Sequence, residues 1–318
     1  MKILLFTSWW WWGFFAHRQI NEAAIYTLPP EMSSFYKVHQ AQIVDWAVRP
    51  DQRRYAVEGE APRHFIDWDV YSRAQRDSLV LTPWFQAVER MTEDTLQAYG
   101  IVPWHVLYMK KQLTDAFVER NTPRIIQLSA EIGHYIGDAN VPLHTTHNYN
   151  GQLTNQTGIH GLWESRLPEL FSHQYSRWVG RATYLERPDS TIWMAILAAH
   201  VALDSVLRFE KSISDNMGWN QKYEITSRNR QTVRAYSYPF SQKYHQLLNG
   251  QVERHFKRAI RMVGNFWYTA WVDAGQPDLN TLSPLRVDPH AEKNQMKIWL
   301  LNMRRIPGVR PEDAESKL

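Results

Sequence analysis

The sequence predicts an all-α protein with one structural domain. Three observations carry this reading. Apolar residues recur at helical spacing through most of the 318 residues. Proline and glycine punctuate those runs at their ends, where helices start and stop. No segment gives a convincing period-two series, and no internal repeat is present. Length alone would allow two domains, but the 44% hydrophobic content and 15 Trp support one large core.

The elements follow in order. Met1–Trp11 (MKILLFTSWWW) has the outline of a signal peptide, with Lys2 as its positive start and Ile3–Phe6 as a small apolar core. It is short for that role, and bulky Trp9 and Trp11 stand where small residues are expected before a cut at Trp12. The alternative is an uncleaved apolar N-terminus. A first helix reaches about Leu28, with Ile20, Ala23, Ala24 and Leu28 on one stripe, and Pro29-Pro30 ends it. A second covers Met32–Val48. Pro50-Asp51 opens a basic turn, PDQRR, and an irregular stretch RHFIDWD follows. Taken alone, His64 in that stretch reads as a core histidine.

Trp84–Tyr99 and Pro103–Arg120 are helical, and Pro123 fits the first turn of the helix that carries His134. Ile192–Ser212 is strongly apolar and helical, with His200 as a satisfied core residue. Met217–Tyr238 is polar, aromatic and basic, and reads as a surface loop. Ser241–Ala274 reads as one long helix ending at Gly275, and residues 276–318 as a proline-rich tail over the surface. No apolar run reaches the roughly 18 residues of a membrane span. The mean hydropathy is −0.49. The net charge of +4 fits a phosphate-bearing substrate without demanding one. No Cys is present, which excludes thiolate-held zinc fingers and iron–sulfur clusters.

The stretch from Ser129 to Leu170 carries the chemistry. His134 and Asp138 stand four apart, so a helix puts them on one face. Pro142 stops that helix, and His144 follows just past the stop. After a Gly/Asn/Thr-rich loop, His160 and Glu164 repeat the same spacing on a second helix. One such pair is most often a solvated or capped helix pair. Two pairs around a hinge histidine make a nitrogen and oxygen ligand set that suits zinc, and iron or manganese less well.

The segments WGFFAH (Trp12–His17), PDQRR, HFID, HYIGDANVPLH (His134–His144) and HGLWE (His160–Glu164), with the last helix RAIRMVGNFWYTAWVDAG, occur in that order between Trp12 and Gly275. Together they resemble the superfamily of zinc-dependent bacterial phospholipase C and the single-strand-specific nucleases of the S-one/P-one type. The resemblance implies a multi-helix phosphodiesterase domain over 12–275 and three zinc ions per chain. The first would take Asp51, His64, His134 and Asp138. The second would take His144, His160 and Glu164. The third would take His17, Asp138 as a bridge, and the amino nitrogen and carbonyl of Trp12, which requires Trp12 to be the mature N-terminus. Asp51 stands in the family's Asp-x-x-Arg pattern, ahead of Asp45, and His147 matches no ligand position.

The resemblance also implies the activity: a metal-held hydroxide attacks phosphorus in line, with Asp51 orienting it or accepting its proton. The substrate would be a phospholipid head group or single-stranded nucleic acid. Glu164 follows the phospholipases, where the nucleases carry Asp, whereas WGFFAH and HFID look more like the nucleases. A nuclease needs an aromatic platform beside a basic groove, for which the many Trp and Tyr and the cluster Arg53, Arg54, Arg63 are available. A phospholipase needs an apolar rim. The expected protein is a secreted or periplasmic monomer without a transmembrane segment. The alternative from another class is a non-catalytic zinc-binding helical protein.

Overall fold

The computed structural model describes residues 14–54, 56–228 and 231–282. Among them the architecture is all-α apart from one hairpin. The helices are α1 (Phe14–Ile25), α2 (Pro30–Val38), α3 (Gln40–Trp46), α4 (Arg49–Arg53), α5 (Arg73–Leu79), α6 (Trp84–Met91), α7 (Glu93–Tyr99), α8 (Val102–Val118), α9 (Thr122–Asp138), α10 (Leu167–Phe171), α11 (Pro188–Met217), α12 (Trp219–Lys222), α13 (Tyr238–Leu247) and α14 (Gln251–Asp273). Short 3-10 turns at Ala61–His64 and Pro142–Thr145 and a π-helical turn at Gly161–Arg166 complete the part that matters for function. Proline sits in the first turn of α2, α4, α8, α9, α11 and α13, where its missing N–H costs nothing.

α9 is the axis of the molecule. Every residue from Leu128 to Asp138 is buried, and α1, α3, α8 and α14 pack around it. Its partners fix its polar backbone and side chains as well: Trp267 Nε1 donates to the Ser129 carbonyl at 3.0 Å, and Ser129 Oγ lies 2.9 Å from the Tyr36 hydroxyl. Two glycines let α1 approach. A Cβ on Gly133 would stand 1.9 Å from Asn21 Oδ1, and one on Gly137 would stand 2.8 Å from His17 Nδ1. Real Cβ contacts are never that close, so α1 lies against α9 only because these positions are bare.

Several helices divide where the sequence reading runs on. Met32–Val48 is two helices, separated at His39, whose Nδ1 donates back to the Phe35 carbonyl at 2.8 Å. Trp84–Tyr99 breaks at Thr92, which takes φ 65° and caps α7 with its side chain. Ser241–Ala274 breaks at Asn249 and Gly250, both at positive φ. The expected loop at Met217–Tyr238 instead holds an antiparallel hairpin, β1 (Tyr223–Arg228) with β2 (Gln231–Tyr236), in register Tyr223 to Tyr236. Its root is tied down by charge. Lys222 Nζ lies 2.7 Å from the fully buried Glu210, which also accepts from Gln156 Nε2 at 2.6 Å, and Arg166 pairs with Glu224 at 2.7 Å.

α11 runs beyond the expected Ile192–Ser212 at both ends. By length and composition it is the one described helix long and apolar enough to cross a membrane, a test that the core helix of a soluble protein also passes, with 39% of its most apolar window buried. His200 is half-buried and hydrogen-bonds the Thr145 carbonyl at 3.1 Å, as a satisfied residue would. The tail is described only as far as Leu282, and the leader Met1–Trp11 lies outside the described residues.

Candidate metal centre

The C-terminal turns of α9 point His134 and Asp138 toward α1 and the turns after α4. Three imidazoles are fixed in one tautomer by backbone carbonyls. His134 Nδ1 donates to Ala47 at 2.9 Å, His144 Nδ1 to His64 at 2.6 Å and His160 Nδ1 to Tyr149 at 3.1 Å. Each therefore turns its Nε2 inward. A backbone acceptor behind a histidine is the usual way of orienting a metal ligand.

The inward atoms form two groups. In the first, His64 Nδ1 lies 2.9 Å from Asp138 Oδ2 and 3.1 Å from His134 Nε2. His134 Nε2 lies 3.2 Å from Asp138 Oδ2 and 3.5 Å from Asp51 Oδ1, and Asp51 Oδ1 is 3.7 Å from His64 Nδ1. In the second, His160 Nε2 is 3.1 Å from His144 Nε2 and 2.6 Å from Glu164 Oε2, and His144 Nε2 is 3.4 Å from Glu164 Oε2. Ligands held tetrahedrally at zinc–nitrogen lengths stand roughly 3.3 Å apart. These edges scatter around that value.

His17 joins the two groups. Its Nε2 is 3.3 Å from Asp138 Oδ1 and 3.4 Å from Glu164 Oε1. Each carboxylate therefore gives one oxygen to its own group and the other to His17. Nδ1 of this buried imidazole has no hydrogen-bond partner among the described residues, and its Nε2 faces only the two carboxylates. Two buried carboxylates converging on one imidazole are costly unless a proton or a metal cation shares the space.

The electrostatics describe the same demand. No Lys or Arg pairs with Asp138 or Glu164 among the described residues. Burial alone would raise the Asp138 carboxyl, but His134 and His144 hold it well below the usual range. Burial would raise Glu164 too, and hydrogen bonds from His144, His160 and His17 hold it well below. Burial pushes His134 down, and Asp138 and Asp51 more than reverse it. Without a metal, protons on histidine must balance the carboxylates; a metal would displace them.

The structure brings together His17, Asp51, His64, His134, Asp138, His144, His160 and Glu164. Trp12 lies outside the described residues. Glu164 differs from the expectation in reaching His17 as well as its own group. His147 stays apart, half-exposed and paired with Asp67 at 3.2 Å.

Sequence reasoning misses the layer behind His64. Glu60 is fully buried and faces His64 Nε2 at 3.7 Å. It accepts from Arg63 at 2.8 Å and from the Tyr135 hydroxyl, and Arg53 reaches it at 3.4 Å while forking onto Glu131 at 2.6 and 2.9 Å. Burial would raise the Glu60 carboxyl, and His64, then Arg53 and Tyr135, hold it well below the usual range. The available signal was the four-residue step from Glu60 to His64, a third instance of the spacing that marks the other pairs.

No protein-family model matches this chain, and no curated protein is similar to it. Among solved structures, the alpha toxin from Clostridium absonum aligns at TM-score 0.48 and 11% identity, over 87% of this chain and 66% of that one. The Clostridium perfringens alpha-toxin from avian strain SWCP aligns at TM-score 0.49 and 13% identity, over 84% and 65%. The chain thus spans about two thirds of the length of each toxin.

Proposed function

We propose that this protein is a zinc-dependent hydrolase of phosphodiester bonds. The observation that carries the reading is the shared-carboxylate geometry. Asp138 and Glu164, both buried and without a basic partner among the described residues, each face histidines on two sides at 2.6–3.4 Å. That donor set fits Asp51, His64, His134 and Asp138 around one ion, His144, His160 and Glu164 around a second, and His17 with the two shared carboxylates toward a third. The placement of His17 Nε2 between the two carboxylates supports the fit. Zinc bound in such a set supplies a low-pKa water and charge to polarise a phosphoryl oxygen.

The chain's own residues supply the rest. Asp51 is the group at the mouth, 24% exposed, and is suited to orient a nucleophile and take its proton. Glu60, Arg53 and Tyr135 hold His64 from behind. A phospholipid head group is the favoured substrate. Of the arginines that a nucleic-acid groove would use, Arg53 is engaged with Glu131 and Arg63 with Glu60, and Arg54 is buried. Beside the centre, α11, which bonds to Thr145 through His200, exposes Met194 and Val201 to solvent.

Three substrates test this on one preparation with measured zinc content: bis(p-nitrophenyl) phosphate, phosphatidylcholine vesicles and single-stranded DNA. Zinc-dependent release of a phosphorylated head group from the vesicles is the expected result. Cleavage of DNA but not of vesicles would assign the nuclease reading. Bound zinc with no turnover of any of the three would assign the non-catalytic one.

A further inference from the structure

A cavity of about 450 Å³ opens between the 184–187 segment, the first turns of α11 and the middle of α14. Leu185, Met194, Ala195 and Met262 form an apolar wall, and Ser190 and Thr191 stand at its rim. Its size falls within the range of small-molecule sites. None of these residues belongs to the metal centre.

Arg258 also lines this cavity, and its charge has no counter-charge among the described residues. Its Nε donates to Asn140 Oδ1 at 2.5 Å. Its Nη2 lies 3.1 Å from His255 Nδ1, but that nitrogen is 2.6 Å from the Asn140 carbonyl and gives its proton there. Burial and the adjacent Arg258 push His255 down to about 4, so it is neutral and its Nδ1–H cannot accept. A guanidinium carries five N–H donors, and most of these have no acceptor among the described residues. No carboxylate pairs with Arg258 among the described residues. Glu186 at the cavity is exposed, and Arg187 is already paired with Asp189 at 2.8 Å. Arg53, Arg63 and Arg166, by contrast, each have a carboxylate.

We propose that this cavity binds a single-headed anionic amphiphile, a fatty-acid carboxylate or a monoalkyl phosphate, with its head on Arg258 and its chain along Met194, Ala195 and Met262. The planar fork of the guanidinium matches the two oxygens of such a head group. Two thioethers give a wall that adapts to a flexible chain. A bare inorganic anion would leave that wall wet. A neutral lipid would leave a half-buried cation without a counter-charge.

The test uses the full chain with its metal and four small probes: octanoate, monooctyl phosphate, 1-octanol and inorganic phosphate, titrated calorimetrically. Octanoate and octyl phosphate should bind one per chain, with octanol and inorganic phosphate weaker by about tenfold or more, the scale of a hydrogen bond to a charged group. Arg258→Met keeps the stem and should weaken octanoate by a similar factor. Thr191→Trp fills the cavity without touching Arg258 and should do the same, so the conclusion does not depend on one variant folding. Octanol binding as tightly as octanoate overturns the proposal, as does inorganic phosphate matching octyl phosphate. Octanoate binding that survives both substitutions belongs to the metal centre and overturns it too.

Discussion

Asp138 turns one oxygen to His64 and His134 and the other to His17, whereas His144 serves one group. Asp138→Asn should therefore lower hydrolysis of bis(p-nitrophenyl) phosphate by more than about 100-fold and exceed the loss from His144→Ala, since ligand loss outweighs the 10–100-fold typical of a supporting residue. Equal residual rates in the two folded variants would count against the shared carboxylate. Glu60→Gln should weaken zinc binding by about 10–100-fold through His64, read by competition with a coloured chelator; unchanged affinity would remove Glu60 from the site. The titration signs give a third expectation. His17 and His134 are held above 6.5, so without metal they stabilise the fold fully below 6.5 and lose that contribution as pH rises through their folded values. Asp138 and Glu164 are held below 3.8 and 4.5, so they stabilise above those values and lose it as pH falls through their folded values. The metal-free protein should then melt highest between about pH 4.5 and 6.5, and the zinc form at higher pH, because zinc requires neutral histidine. Melting curves across pH with and without chelator check this; one shared optimum would contradict it.

The contact of α1 with α9 depends on two bare positions. Gly137→Ala would put a methyl 2.8 Å from His17 Nδ1, so His17 must shift. Zinc content should fall by up to one equivalent, with a stability loss of about 1–3 kcal/mol from overpacking; a variant with full zinc and wild-type melting would show that α1 has room to move. This dependence is also where the sequence is most readable. His134 and Asp138 share a face on any helix, and Pro142 marks its end, so the core of the site follows from spacing alone. The helix breaks do not. His39, Thr92 and Asn249 end helices through local caps or positive φ on residues other than glycine, and an apolar period carries no trace of that. The hairpin is hidden because its strands are short and carry charged residues. Glu60 is ordinary by residue type; only the fold that brings Arg53, Arg63 and Tyr135 around it makes it internal.

At the scale of the whole molecule, His17 links the N-terminal helix to the ends of α9 and the π-helical turn, so bound metal should act as a clasp on the core. Chelation should lower the melting temperature, and added zinc should raise it with the logarithm of its concentration, as mass action requires. A melting temperature indifferent to both would argue that the groups are balanced by protons alone. A chain cleaved to begin at Trp12 should hold close to three zinc ions, and one retaining Met1 fewer, because an amide nitrogen replaces the free amine; mass spectrometry of each N-terminus with zinc content on the same samples decides it. The buried pair of Glu210 with Lys222 has a different reach. Glu210 also holds Gln156, in the loop that leads to His160, so hairpin and loop hang on one internal charge. Neither can open alone without stranding that carboxylate away from water. Amide protons of residues 148–160 and of the strands 223–228 and 231–236 should therefore exchange with deuterium at one common rate, as a single cooperative unit, though the chain between them is long and helical.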